Sequence, residues 1–189
     1  MTYKLMQSSL FIILLSLSSL ASAALTLNDI SIKLGTFTLA NKIQRISSST
    51  ITFDETSRSV FSIEYERSMT NNLKWGVEFI TYKNDFSAGT SNALATHLAL
   101  NMKNYFDVSQ SVRPYIGAGI TAAGVRLGGF SSGSAGSLGV QFVGGIKFPF
   151  ENVAGVIEYK IISAEPTDFY GSSVNTSGSG LFAGISVNF

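Results

Sequence analysis

No cysteine occurs anywhere in the chain, and histidine occurs once, at position 97. Disulfide staples and thiolate metal sites are therefore excluded. A multi-histidine metal centre is impossible, and neither a metal nor a cofactor is expected. Charge is also scarce: Asp, Glu, Lys and Arg make up 13% of the residues, with a net charge of +1. That is about half the charged share of an ordinary soluble domain. No basic stripe is present, so nucleic acid is not an expected partner. Proline appears three times, and no segment sustains the 3.6-residue period of a helix. The one long apolar run, Leu10 to Leu20, is broken by serines and is too short to cross a bilayer comfortably. Lys4 precedes it and Ala21-Ser22-Ala23 follows it. This is the layout of a cleavable secretory signal peptide over residues 1–23, leaving a single mature domain over 24–189.

What is present is glycine, aromatic residues and alternation. Eight segments repeat with the two-residue period of a strand, at 29–40, 59–69, 73–83, 92–106, 113–127, 136–148, 152–163 and 179–189. The first alternates least clearly, because its pattern blurs between Gly35 and Leu39. The links at 70–72, 107–112 and 149–151 are short. Those at 41–58, 84–91, 128–135 and 164–178 are mostly longer and rich in Ser, Gly, Thr and Asn. Long and short links alternate strictly, which places short turns on one rim and long loops on the other.

The two faces of each segment decide between a soluble and a membrane barrel. One face carries Phe61, Ile63, Tyr65, Trp75, Val77, Phe79, Leu98, Leu100, Met102, Val140, Phe142 and Ile146. The other carries Tyr115, Gly117, Gly119 and Thr121, then Gly139, Gln141, Gly145 and Lys147. Glycine and alanine would solubilise a water-facing surface poorly. A narrow eight-stranded interior, by contrast, needs such a mixture of small and large residues. The expected fold is therefore all-β, an eight-stranded antiparallel transmembrane β-barrel with short periplasmic turns and longer extracellular loops. Trp75, Tyr105, Phe106, Phe148 and Phe150, near segment ends, are expected in the interfacial aromatic girdles.

The stretch VFSIEYERSMTNNLKWGVEF (60–79), a strand, a tight Asn-containing turn and a strand, resembles the hairpins of small outer-membrane proteins of the OmpA, OmpX and OmpW type. RPYIGAGI (113–120) is similar to a Pro-Tyr-x-Gly-x-Gly strand of that superfamily, and the terminal Phe189 fits it too. The resemblance spans the mature chain and implies a bacterial outer-membrane location. It also implies that Phe189 serves as the signal read by the outer-membrane assembly machinery. No peptidoglycan-binding domain follows Phe189, so the tethering role of full-length OmpA is not expected.

The inward parity collects Glu64, Glu66, Lys74, Glu78, His97, Lys103, Lys147, Glu158 and Lys160. Four carboxylates and four ammonium groups nearly cancel, and inside a narrow barrel they must pair to offset desolvation. A turn centred on Asn71 puts Glu64 opposite Glu78, and a symmetric 84–91 loop puts Glu78 opposite His97. That makes a three-strand row in which a charged imidazole relieves two adjacent carboxylates. A lipid A-modifying enzyme of the deacylase type resembles His-x-Ser on one strand, whereas this chain reads His97-Leu98-Ala99. Ser87, Ser91 or Thr96 would need an unfamiliar geometry, and His97 has inward parity, so no catalytic residue is assigned. The loops 41–58 and 164–178 offer Phe53, Phe169 and Tyr170 to a surface partner or to lipopolysaccharide. The sequon at Asn175 is read as chance in a bacterial setting.

These observations favour a monomeric outer-membrane barrel with a structural or surface-interaction role and a lumen plugged by balanced charge. Its expected partners are outer-membrane lipid, lipopolysaccharide, the assembly machinery and a host or surface ligand. The alternative is a narrow channel, or an OmpW-like conduit for small or hydrophobic solutes.

Overall fold

The computed structural model describes residues 28–40, 43–46, 49–52, 57–85, 92–107, 109, 111–128, 134–164 and 176–189. Expectations that fall on the signal peptide, Phe53, Ser87, Ser91, Phe169, Tyr170 and Asn175 lie outside the described residues. The strands are β1 (Asn28–Leu39), β2 (Ile43–Ile46), β3 (Ser49–Thr52), β4 (Ser57–Ser68), β5 (Leu73–Asp85), β6 (Asn92–Tyr105), β7 (Arg113–Gly128), β8 (Ser134–Phe150), β9 (Val153–Ala164) and β10 (Gly178–Asn188).

Eight of these, β1 and β4 to β10, form a closed barrel in which each strand pairs antiparallel with its neighbours. The first and last strands meet: Ile30 pairs with Val187, Ile32 with Ile185 and Leu34 with Ala183. Their ends are tied by the Asn28 amide donating to the Phe189 carbonyl at 3.0 Å and the Phe189 amide donating to Asn28 at 2.9 Å. No edge strand is left in the barrel, so its backbone groups find partners without water. The alternation sorts cleanly: Leu181, Ala183, Ile185, Val187 and Phe189 are exposed, while Gly178, Gly180, Phe182 and Ser186 are buried. The 41–58 link, read from sequence as loop, contains the separate β2–β3 ribbon. Ile43, Ile46, Ile51, Thr50 and Thr52 are β-branched and favour extended backbone.

One girdle expectation is corrected. Tyr105 is 1% exposed and lies inside the barrel, because it shares parity with His97 and Lys103 rather than with Leu100 and Met102. Its phenol has a carboxylate partner there, which a lipid-facing position would not supply. Phe106 and Phe150 are exposed. Space inside is set by small residues: a Cβ on Gly145 would run into the Tyr115 ring, so glycine on β8 makes room for the aromatic side chain on β7.

The β8–β9 turn is tight, with Phe150 paired to Val153 across Glu151 and Asn152. Glu151 has φ 55°, and among the described residues it alone has a positive φ without being glycine. A two-residue hairpin turn with positive φ at its first central position prefers glycine there. Glu151→Gly is expected to raise unfolding stability by up to about 1 kcal/mol. Glu151→Val should lower it, since a β-branched residue is poorly tolerated at positive φ. Urea unfolding of the barrel in lipid vesicles, followed by Trp75 fluorescence, measures both; equal midpoints for the three proteins would refute the strain.

Candidate functional site: a charged lumen

Alternation directs one side chain in two into a lumen about eight strands around. The structure places all nine inward polar residues expected from sequence on that face, and each is buried. It adds two charged residues that the sequence reading missed, Asp29 and Lys33 on β1. Five carboxylates (Asp29, Glu64, Glu66, Glu78 and Glu158) then face five ammonium groups (Lys33, Lys74, Lys103, Lys147 and Lys160). The signal for the missing pair was their shared parity with Ser31. It was obscured because the same face of β1 continues into the apolar Phe37 and Leu39.

The network is built in tiers. Nearest the short-turn rim, Lys147 donates to Glu66 Oε2 at 2.6 Å and to Asp29 Oδ2 at 2.9 Å, and Lys74 pairs with Asp29. The Tyr105 hydroxyl donates to Glu66 at 2.9 Å, and the Lys74 and Lys147 ammonium groups lie 5.4 and 5.3 Å from the centre of its ring. Next, Lys103 reaches Glu64 at 2.7 Å, Glu66 at 2.9 Å and Glu158 at 3.0 Å. The Tyr115 hydroxyl donates to Glu158 at 2.7 Å.

Lys33 sits among three carboxylates, 2.6 Å from Glu64, 2.8 Å from Glu78 and 2.8 Å from Glu158. Oxygens of those three glutamates lie within 4.8 Å of one another, a spacing that suits a hard cation. The ammonium of Lys33 takes that place. Above it Lys160 pairs with both Glu78 and Glu158. Ser62, Gln141 and Asn101 donate to Glu78, the latter two at 3.2 and 3.4 Å. Each carboxylate is shared by more than one donor, the condition under which buried ions repay their desolvation.

The proposed row of Glu64, Glu78 and His97 forms only in part. Glu64 does pair with Glu78. Glu78, however, faces Ala99, and His97 faces Ile80. Strand β5 continues to Asp85, which pairs with Asn92, so the β5–β6 loop is centred one residue later than a symmetric 84–91 loop. Every β6 partner moves by two residues as a result. Repulsion between Glu64 and Glu78 is relieved by Lys33, not by an imidazole. His97 lies instead in an apolar cluster towards the long-loop rim, with Phe37, Val60, Ile80, Tyr82, Ala95 and Ala123. Its ring stacks on Tyr82 at 5.7 Å between centroids, and its Nε2 is 3.3 Å from the Tyr82 hydroxyl. Nδ1 has no hydrogen-bond partner among the described residues. Thr96, the described candidate for a nucleophile, donates to the Gly124 carbonyl at 3.3 Å.

A closed eight-stranded barrel with an apolar outer belt is matched over residues 8–189 by the family model for the outer membrane protein beta-barrel domain. The chain belongs to that family. It is a bacterial outer-membrane protein. The barrel is similar to the crystal structure of Neisserial surface protein A, with 18% identity, a TM-score of 0.65, and coverage of 86% of this chain and 97% of that one. Ail, the attachment invasion locus protein of Yersinia pestis, gives 13% identity, a TM-score of 0.53, and coverage of 87% and 99%. The N-terminal β-barrel domain of Pseudomonas aeruginosa OprF gives 15% identity, a TM-score of 0.55, and coverage of 87% and 99%. No curated protein matches the sequence.

Lys33 bridges three carboxylates of this outer-membrane barrel, so its removal leaves buried negative charge uncompensated. Lys33→Met is expected to destabilise the folded state by about 3–5 kcal/mol. Adding Glu158→Gln should recover part of that loss, giving a coupling well outside additivity. Equilibrium urea unfolding of the single and double variants in lipid vesicles tests this, and strictly additive losses would contradict it.

Proposed function

We propose that the protein is a closed, non-enzymatic barrel that supports the outer membrane and meets surface partners through its extracellular loops. The observation that carries this reading is the lumen. Its ten charged side chains are cross-paired from Asp29 and Lys74 up to Lys160 and Glu78, and an apolar cluster fills the space beyond them. An ion crossing this interior would have to displace successive tiers of paired groups and then pass an apolar section. Transport is thereby disfavoured, and the contacts left to the protein are those of its outer belt and its loops. The name of Ail, an attachment and invasion protein, gives a precedent for that class of role on the same fold. Host factors or lipopolysaccharide are the corresponding ligand classes.

Catalysis is disfavoured on the same geometry. A histidine acting as general base needs a nucleophile within reach and a partner to orient its second nitrogen. His97 has Tyr82 on Nε2 and nothing on Nδ1 among the described residues. On this reading the chain enters the periplasm through cleavage after residue 23. Phe189, immediately after β10, is then recognised by the assembly machinery, and the barrel works as a monomer.

The test is conductance. Refolded into planar bilayers, the protein is expected to show no stable discrete current steps. A reproducible single-channel conductance that changes when Lys147 or Glu158 is substituted would replace this reading with that of a narrow channel. In parallel, lipid A from cells expressing the protein should keep its mass, and a shift abolished by His97→Ala would establish an enzyme.

A further inference from the structure

The outer belt is not uniformly convex. On β7, β8 and β9 two lateral rows of outward residues cross it: Ile116, Gly144 and Tyr159 in one, Ala118, Phe142 and Ile161 in the next. Together they line a shallow, open groove of about 540 Å³. Its origin is the middle of the first row, where Gly144 contributes no side chain between Ile116 and Tyr159. A Cβ built on Gly144 comes no closer than 4.0 Å to any neighbour, the Tyr115 carbonyl. The floor is therefore open, unlike the inward glycines, whose space is taken by facing groups. Ala118 keeps the second row low on one side, while Phe142, Tyr159 and Ile161, each half exposed or slightly more, form the walls.

We propose that this groove is a binding site for one acyl chain of a phospholipid in the periplasmic leaflet. The groove is continuous with the lipid-facing surface of an outer-membrane barrel, so what fills it comes from the bilayer. Its lining argues for a chain and against a headgroup or sugar, because the Tyr159 hydroxyl is the one polar side-chain group on it. Depth argues for the periplasmic leaflet. Ile116 is three residues from the start of β7 at Arg113, and Gly144 is six from the end of β8 at Phe150. Both strand ends belong to the short-turn rim. Within a bilayer the hydrophobic effect offers nothing for moving a chain from lipid onto protein. Retention then rests on shape, through dispersion contacts that a flat wall does not give. A groove with a glycine floor at Gly144 and walls of Phe142, Tyr159 and Ile161 supplies them.

The experiment compares wild type, Gly144→Leu and an outward control, Ala122→Leu, refolded into vesicles of palmitoyl-oleoyl phosphatidylethanolamine and phosphatidylglycerol. Folding is checked by the gel-mobility shift on heating, and the space above Gly144 predicts that Gly144→Leu folds. Barrels released from the vesicles are examined by native mass spectrometry. The expected result is a predominant wild-type species carrying a single phospholipid, retained by Ala122→Leu and lost in Gly144→Leu. Equal lipid retention in wild type and Gly144→Leu would overturn the site. So would a wild-type dimer that Gly144→Leu dissolves, since a second barrel would then occupy the groove. A failure of Gly144→Leu to fold would also count against it, because the floor would not be open.

Discussion

Inside a bilayer no water is available to a backbone amide or carbonyl, and each unpaired group costs several kcal/mol. Strands can satisfy this only by closing on themselves. The pairing of β1 with β10, from Asp29 opposite Asn188 to Leu39 opposite Gly178, is therefore the contact on which the rest of the molecule depends. It accounts for the unbroken alternation from Leu181 to Phe189. A frayed end there would leave β1 with a bare edge in lipid.

Closure at eight strands has a second consequence, on the inside. An eight-stranded interior is about the width that inward side chains can fill. Charged residues in that space must be matched, and the match is tight: ammonium groups on β1, β5, β6, β8 and β9 meet carboxylates on β1, β4, β5 and β9. The lumen is also asymmetric. Ion pairs occupy the half nearer the short turns, and Phe37, Tyr82, Phe182 and Ile162 fill the half nearer the loops. An apolar section beside a charged one offers the ion pairs a low-dielectric neighbour, which strengthens them and raises the cost of breaking any one of them.

How much of this could be read from the chain depends on which physical rule each feature obeys. Strand existence and facing follow from period two, so the eight segments, the outward belt and the nine inward polar residues were legible. Even the Tyr105 position was legible in principle, since its parity matches Lys103; its place near a strand end suggested an interfacial aromatic and hid that. Lys33 was harder. On β1 both faces carry apolar residues, Ile32 and Leu34 outward but Phe37 and Leu39 inward. Polarity alone could not label the faces, and the residue at the centre of the network went unassigned. The β5–β6 register was not legible, because it depends on where a loop outside the described residues reverses.

That register error shows what the ions contribute beyond stability. A one-residue slip between strands would turn Lys33 or Glu64 into lipid and is ruled out by the faces alone. A two-residue slip keeps every face correct, and parity offers no objection to it. The charges do object. Sliding β6 by two residues moves Lys103 about 7 Å along the strand, away from Glu64 at 2.7 Å and Glu158 at 3.0 Å. Neither carboxylate would keep that partner, and a buried carboxylate deprived of one costs several kcal/mol. The paired ions are thus one feature that separates the native register from its nearest competitor of the same parity. This gives a physical reason for so expensive a set of residues to sit where well-packed leucines would cost less.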